Sequence, residues 1–226
     1  MAIVQRPMRT GYFILLAVIA FSTSCNSKQS YSELLEPIET DTTYTDFEKD
    51  GFWHLADKMK IPDLRKGAKG FEWRLWAPME WTYDHNNMVL VSAKYQEGKW
   101  NFSATKIYMN LPSYHKDSIH PFFRIRIDSI ATSQVNLKGR EKFLKALLGM
   151  NLHKSPTQAD LERDLVYDTG HVSFTIEVAN ESSYKIITYT CATRKAGFTE
   201  FDTKLIDLIK QAREKFEVQF EICERG

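Results

Sequence analysis

Few side chains in this 226-residue sequence stand at spacings that chemistry uses. The densest set of metal-ligating types is His115, Asp117 and His120, in a stretch bounded by Pro112 and Pro121. A metal centre needs three or four ligands converging at about 2 Å. Two imidazoles and one carboxylate on a local loop fall short of that, so they read as solvated loop residues, with no metal or cofactor expected. Asp84 and His85 are adjacent, which is ordinary turn chemistry. There is no Gly-x-Ser-x-Gly elbow, Gly-rich phosphate loop, dinucleotide fingerprint or His-Glu-x-x-His. A triad can be assembled by the fold without fixed spacing. Still, no residue earns a catalytic assignment.

Aromatic residues offer a different chemistry. Phe71, Trp73, Trp76, Trp81 and Tyr83 crowd one short stretch, and strand alternation sets Trp76 on the face opposite Phe71 and Trp73, together with Glu72 and Arg74. An exposed Trp76 beside Glu72 and Arg74, with Trp81 near, would form a ligand surface that stacks on a sugar ring or a protein partner. Trp is buried on average, which favours instead a Trp76 covered by a helix or by the loop carrying Trp81. The tripeptides Asn101-Phe102-Ser103 and Asn180-Glu181-Ser182 match the glycosylation pattern but read as incidental.

The N-terminus is more informative. Arg6 and Arg9 precede ten uninterrupted apolar residues, Tyr12 to Phe21. As a helix these span about 15 Å, half a bilayer's hydrocarbon core and the size of a signal peptide's apolar region. Ser22-Thr23-Ser24-Cys25 follows and resembles the lipobox of bacterial lipoproteins, with Ser22 standing where an aliphatic residue is usual. The resemblance implies removal of residues 1–24 and a fatty-acylated Cys25 that anchors the chain in the cell envelope. Ser22 and Ser24 also satisfy the small-x-small rule of ordinary signal cleavage, whose product would be a soluble periplasmic or secreted protein.

Two or three acyl chains hold a protein on a membrane where one binds only reversibly. Removing residues 1–24 takes away Arg6 and Arg9 and leaves 28 basic against 29 acidic residues, so no polybasic patch assists attachment. The same balance excludes a dedicated nucleic-acid binder. Lipid on Cys25 would leave Cys191 and Cys223 as a disulfide pair, stabilising by about 3–4 kcal/mol, or as two buried thiols.

The elements follow from periodicity. Residues 25–44 read as lipidated Cys and flexible tether, and 45–226 as a single domain. A helix is predicted over Asp46–Lys60, with Phe52, Leu55, Ala56 and Met59 on one face. Strands are predicted through Phe71–Leu75, Val89–Tyr95, Trp100–Met109 and Phe123–Asp128. A change of phase at Thr105 suggests a bulge in the third. Helices follow on Phe143–Leu148 and from Ser155 to Leu165, the second started by Ser155-Pro156. A hairpin through Val172–Val178 and Ile187–Cys191, a helix with Leu205, Leu208, Ile209, Ala212 and Phe216 on one stripe, and a short strand within Glu217–Cys223 complete the chain.

Without regular βαβ alternation, this is an α+β domain: an antiparallel sheet of about six strands with packed helices. The function expected is an exported, lipid-anchored envelope protein whose non-catalytic domain binds an envelope protein or glycan. A hydrolase acting on cell wall or polysaccharide through carboxylates brought together by the fold is one alternative. An immunity- or inhibitor-type lipoprotein is another.

Overall fold

Alternating residues dominate the middle of the chain, and in the computed structural model they form a six-stranded sheet, antiparallel at every pairing. The structure describes residues 31–38, 53–82, 85–110, 126–136, 139, 141–152, 155–167, 173–191, 193–194, 199–220 and 222. The strands of the large sheet are β1 (Phe71–Thr82), β2 (His85–Gln96), β3 (Lys99–Asn110), β4 (Arg126–Gln134), β6 (Ser173–Asn180) and β7 (Tyr184–Thr190), in the order β4-β3-β2-β1-β6-β7. Short strands β5 (Leu165–Tyr167) and β8 (Thr193–Arg194) pair separately. The α-helices are α1 (Trp53–Lys58), α2 (Glu141–Gly149), α3 (Gln158–Asp164) and α4 (Thr199–Lys215), with 3-10 turns at Ser32–Leu35 and Leu64–Lys66. The α+β architecture expected from the sequence is therefore present.

One face of the sheet is covered by aromatic packing. The register aligns Trp73 with Ala93 and Val178, and Leu75 with Val91 and Ile176. Phe143 of α2 meets Trp73 and Phe102 edge-on at 5.8 and 6.2 Å, and Phe216, just beyond α4, meets Phe143 at 5.4 Å. Such pairs add about 0.5–1.5 kcal/mol each beyond the area they bury. Leu205, Leu208, Ile209 and Ala212, the predicted stripe of α4, are all buried.

The opposite face is covered as well. Trp76, Leu90, Ile107 and Met109 pack against Leu55 and Ala56 of α1, Leu64, Ala68, Tyr184 and Ile186. This second core explains the change of phase in β3. Phe102 and Ala104 point to one core, Ile107 and Met109 to the other, and the β2–β3 register runs without a break. No bulge sits at Thr105. The irregularity is in β4, where Asp128 is the extra residue between Ile127, opposite Met109, and Ser129, opposite Tyr108. β1 also bulges between Pro78 and Glu80, beyond Trp76 where its pairing with β6 ends, an edge position at which Pro is tolerated.

Several boundaries differ from expectation. Of the helix predicted from Asp46, the described part is α1. Helix α3 starts later than Ser155-Pro156 suggested, because Thr157 and Asp160 cap it reciprocally: Asp160 N–H donates to Thr157 Oγ1, and Thr157 N–H to Asp160 Oδ2. Leu165 then belongs to β5, not to the helix. Residues 218–220 form no strand, and Val218 and Phe220 instead lie buried in the core. The β2–β3 hairpin turns through Glu97 (φ 52°) and Gly98 (φ 77°), the left-handed pair of a tight hairpin.

The chain divides into two compact units, Met1–Glu33 and Leu34–Gly226. The second begins earlier than the expected tether allows. Leu34 and Ile38 are buried, so residues 34–38 belong to the domain and not to a free linker over 25–44. No described helix is long and apolar enough to cross a membrane.

Candidate functional site

Alternation in β1 gathers Glu72, Arg74 and Trp76 on one face, as their spacing predicts, but that face is interior. All three are buried, with Trp76 fully enclosed. The ligand surface expected at Glu72, Arg74, Trp76 and Trp81 is therefore corrected for the first three. The segment running through α1 and the Leu64–Lys66 turn closes over them, and burying the indole is itself favourable. Trp81 lies on β1, and its side chain is outside the described set.

The enclosed groups satisfy one another. Arg74 Nε donates to Glu72 Oε1 at 2.8 Å and Nη1 to the Pro62 carbonyl at 2.9 Å, with Glu177 Oε2 3.7 Å away. Glu177 accepts the Trp76 indole N–H at 2.8 Å and the Tyr184 hydroxyl at 3.0 Å. Tyr184 in turn accepts the Trp53 indole N–H at 3.3 Å. Lys94 reaches Glu72 Oε2 from the rim at 3.8 Å. Burial pushes the Glu177 carboxyl above its ordinary range, against the opposing pull of Arg74 and of the Trp76 and Tyr184 donors. Outside this core Arg65 lies over the Trp53 ring at 4.2 Å and forks onto Asp63 at 2.8 Å, holding that carboxyl below its ordinary range.

Accessible concavity is found at one end of the sheet, where the β2–β3 and β6–β7 turns meet the 64–70 loop. Two hollows of about 480 Å³ each share Glu181 on their rims. The first also takes in Leu35, Lys69, Tyr95 and Glu97, and the second Arg65, Lys66, Ser182 and Tyr184. Glycine builds both floors. A Cβ on Gly70 would stand 2.2 Å from the Tyr95 carbonyl oxygen, and one on Gly67 would stand 3.0 Å from that of Glu181. Both residues have positive φ.

Asn180 organises this end of the molecule. Its Oδ1 accepts Ser183 N–H at 3.0 Å, Ser183 Oγ–H at 2.7 Å and Ser182 N–H at 3.0 Å. Its Nδ2 donates to the carbonyls of Leu34 and Glu36 at 3.3 and 2.6 Å. Ala68 N–H donates to the Asn180 carbonyl at 2.9 Å, and Ile38 N–H to Ser183 Oγ at 2.9 Å. One asparagine thus ties the hairpin turn, the 64–70 loop and the 34–38 segment together. Its tripeptide looked incidental in the sequence. The usable signal was Asn-x-Ser-Ser, the polar run that closes an Asx turn.

Ser183 and Tyr184 line the second hollow. Ser183 Oγ–H donates to Asn180 Oδ1 and its oxygen accepts the Ile38 N–H, while the Tyr184 hydroxyl donates to the buried Glu177 carboxylate and accepts the Trp53 indole N–H. Among the described residues no group of three or more His, Cys, Asp or Glu could hold a metal. His115, Asp117 and His120 lie outside the described set, as does Asp84, and so do Cys25 and Cys223. Cys191 is disulfide-bonded. Its partner sulfur is outside the described residues. No family model matches the chain, and comparison with curated proteins and with solved structures likewise returns no match.

Proposed function

We propose that this chain is an exported envelope protein, anchored by lipid on Cys25, whose domain is a non-catalytic binding module presenting the Glu181 end of the sheet to an envelope protein or glycan. The observation that supports binding at this end is the pair of hollows sharing Glu181, framed by backbone that Asn180, Gly67 and Gly70 hold in place. Preorganised backbone lowers the ordering cost of recognition. The rim carries both signs, with Arg65, Lys66 and Lys69 near Glu97 and Glu181, which suits a polar partner of mixed charge. The hydrolase reading lacks comparable support. Glu72 and Glu177, the carboxylates that the described fold brings to a common partner, are sealed around Arg74. An inhibitor lipoprotein would use the same surface with an enzyme as its partner.

Three measurements test the proposal. Cys25→Ser should move the protein from the membrane to the soluble fraction, and unchanged fractionation sinks the anchor. Capture from the native envelope should recover a partner with the wild-type chain that Glu181→Lys loses while its thermal unfolding stays the same. Equal recovery would place binding elsewhere. Non-reducing peptide mapping should join Cys191 to Cys223. A Cys191–Cys25 bridge would consume the sulfur that the lipid needs.

A further inference from the structure

The two edges of the large sheet are treated differently. At the β7 edge, Gln158 of α3 is buried and its Oε1 accepts the Thr188 N–H at 2.8 Å, so a side chain occupies an edge position where another strand would bond. At the β4 edge, every residue from Asp128 to Gln134 is exposed, Ile130 to 44%. No strand among the described residues pairs with its outer side.

Protection on β4 is confined to its first residues. There Asp128 forms the bulge and Arg126 donates to it at 2.9 Å, placing a distortion and two charges on the edge. From Ser129 to Gln134 there is no charge, no proline and no bulge. The stretch is firmly laid on β3 by ladder pairing, by the Thr105–Thr132 hydroxyl bond at 3.0 Å and by Ser133 Oγ–H on the Ala104 carbonyl at 3.3 Å. Along it, the outer backbone groups meet no other strand among the described residues.

Its sequence says what fits it. Ser129-Ile130-Ala131-Thr132-Ser133 reads nearly the same in both directions: serine, β-branched, alanine, β-branched, serine. An antiparallel copy centred on Ala131 sets Ser129 opposite Ser133, Ile130 opposite Thr132 and Ala131 opposite itself. Every side chain keeps its own face of the sheet, as the two-residue period demands. Asp128 falls opposite Gln134, so no like charges meet, and a chain with 30 basic and 29 acidic residues brings little net repulsion to a second copy. We propose that β4 pairs with β4 of a second copy across a two-fold axis at Ala131, joining two six-stranded sheets into one. The proposal is independent of the lipid anchor and of the Glu181 end.

Sedimentation equilibrium of the full chain tests it. Wild type should show twice the chain mass. Ala131→Lys, which opposes two ammonium groups at the axis, should halve that mass while the monomer keeps the circular dichroism of a folded chain, since Ala131 lies outside both cores and is exposed in the single chain. Under mild oxidation Ala131→Cys should give a covalent dimer, while Ser129→Cys, held away from its own copy, should not. A wild-type chain that stays monomeric, including one that accepts a strand from another protein, overturns the proposal. So does a dimer that survives Ala131→Lys, or equal cross-linking of the two cysteine variants.

Discussion

The two faces of the sheet bury similar tryptophans by opposite means. Trp73 sits among Phe102, Phe143 and neighbouring apolar side chains, and its indole N–H has no partner among the described residues. Trp76, three residues on, gives its N–H to Glu177 within a chain of bonds that also takes in Arg74, Glu72, Tyr184 and Trp53. Around Trp73 burial is non-directional and tolerates an idle donor at modest cost, and the one buried charge described on that face, Lys185 on β7, is held apart from it by Ser155, whose carbonyl and hydroxyl oxygens accept from its Nζ. The second face holds charge in the interior, so each group depends on its neighbours. A buried ion pair adds little net stability, yet losing one member is severe because the other is stranded.

That contrast can be broken most forcefully at its centres. Arg74→Leu should cost about 3–5 kcal/mol at neutral pH by taking the guanidinium from Glu72 and Glu177, and the loss should shrink as acid protonates Glu177. Phe143→Ala should cost a similar ~3–5 kcal/mol through its cavity, without that pH dependence. Urea unfolding at two pH values separates them, and parallel pH behaviour would erase the distinction. At the Glu181 end, Asn180→Ala should cost about 2–3 kcal/mol, because buried backbone groups of the turn and of residues 34–38 lose their partners. Protease should then cut near residues 34–38 faster than in wild type. An uncut segment would show that apolar docking of Leu34 and Ile38 suffices.

Finer substitutions sharpen the same comparison. Trp76→Phe and Trp73→Phe remove similar ring area, but only the first takes a donor from Glu177, so it should be worse by about 1–3 kcal/mol in urea unfolding. Equal losses would mean that the Trp76–Glu177 bond has no net value. Glu177→Gln tests the charge itself through its pH dependence. Because folding raises the Glu177 pKa, its favourable contribution is full below the unfolded-state value and declines as pH rises through the folded value. Wild type should therefore gain stability relative to Glu177→Gln as pH falls from neutrality, and a gap that stays constant would contradict the raised pKa.

Strand identity was legible because alternation is local. Phe71, Trp73 and Leu75, or Val89, Val91 and Ala93, announce a buried face whatever covers it. The stripe on α4 was equally plain. The second core was harder to read, since a polar residue such as Arg74 or Glu177 looks solvent-facing until its partners are known. Those partners lie far apart in sequence: Glu177 meets Trp76 across 101 positions, and Asn180 meets Leu34 across 146. The phase change in β3 carried a trace of it, read as a bulge when it marked a strand leaving one core for the other.

By itself the chain's composition and periodicity determined an α+β domain with an antiparallel sheet, because apolar alternation and helical stripes act between near neighbours. They also placed Trp76, Glu72 and Arg74 together on one side of β1. Only the tertiary structure decided whether that side met water or protein. The decision rests on α1, the Leu64–Lys66 turn, Glu177 and Tyr184 converging from distant parts of the chain, where desolvated charges hold only if every partner arrives.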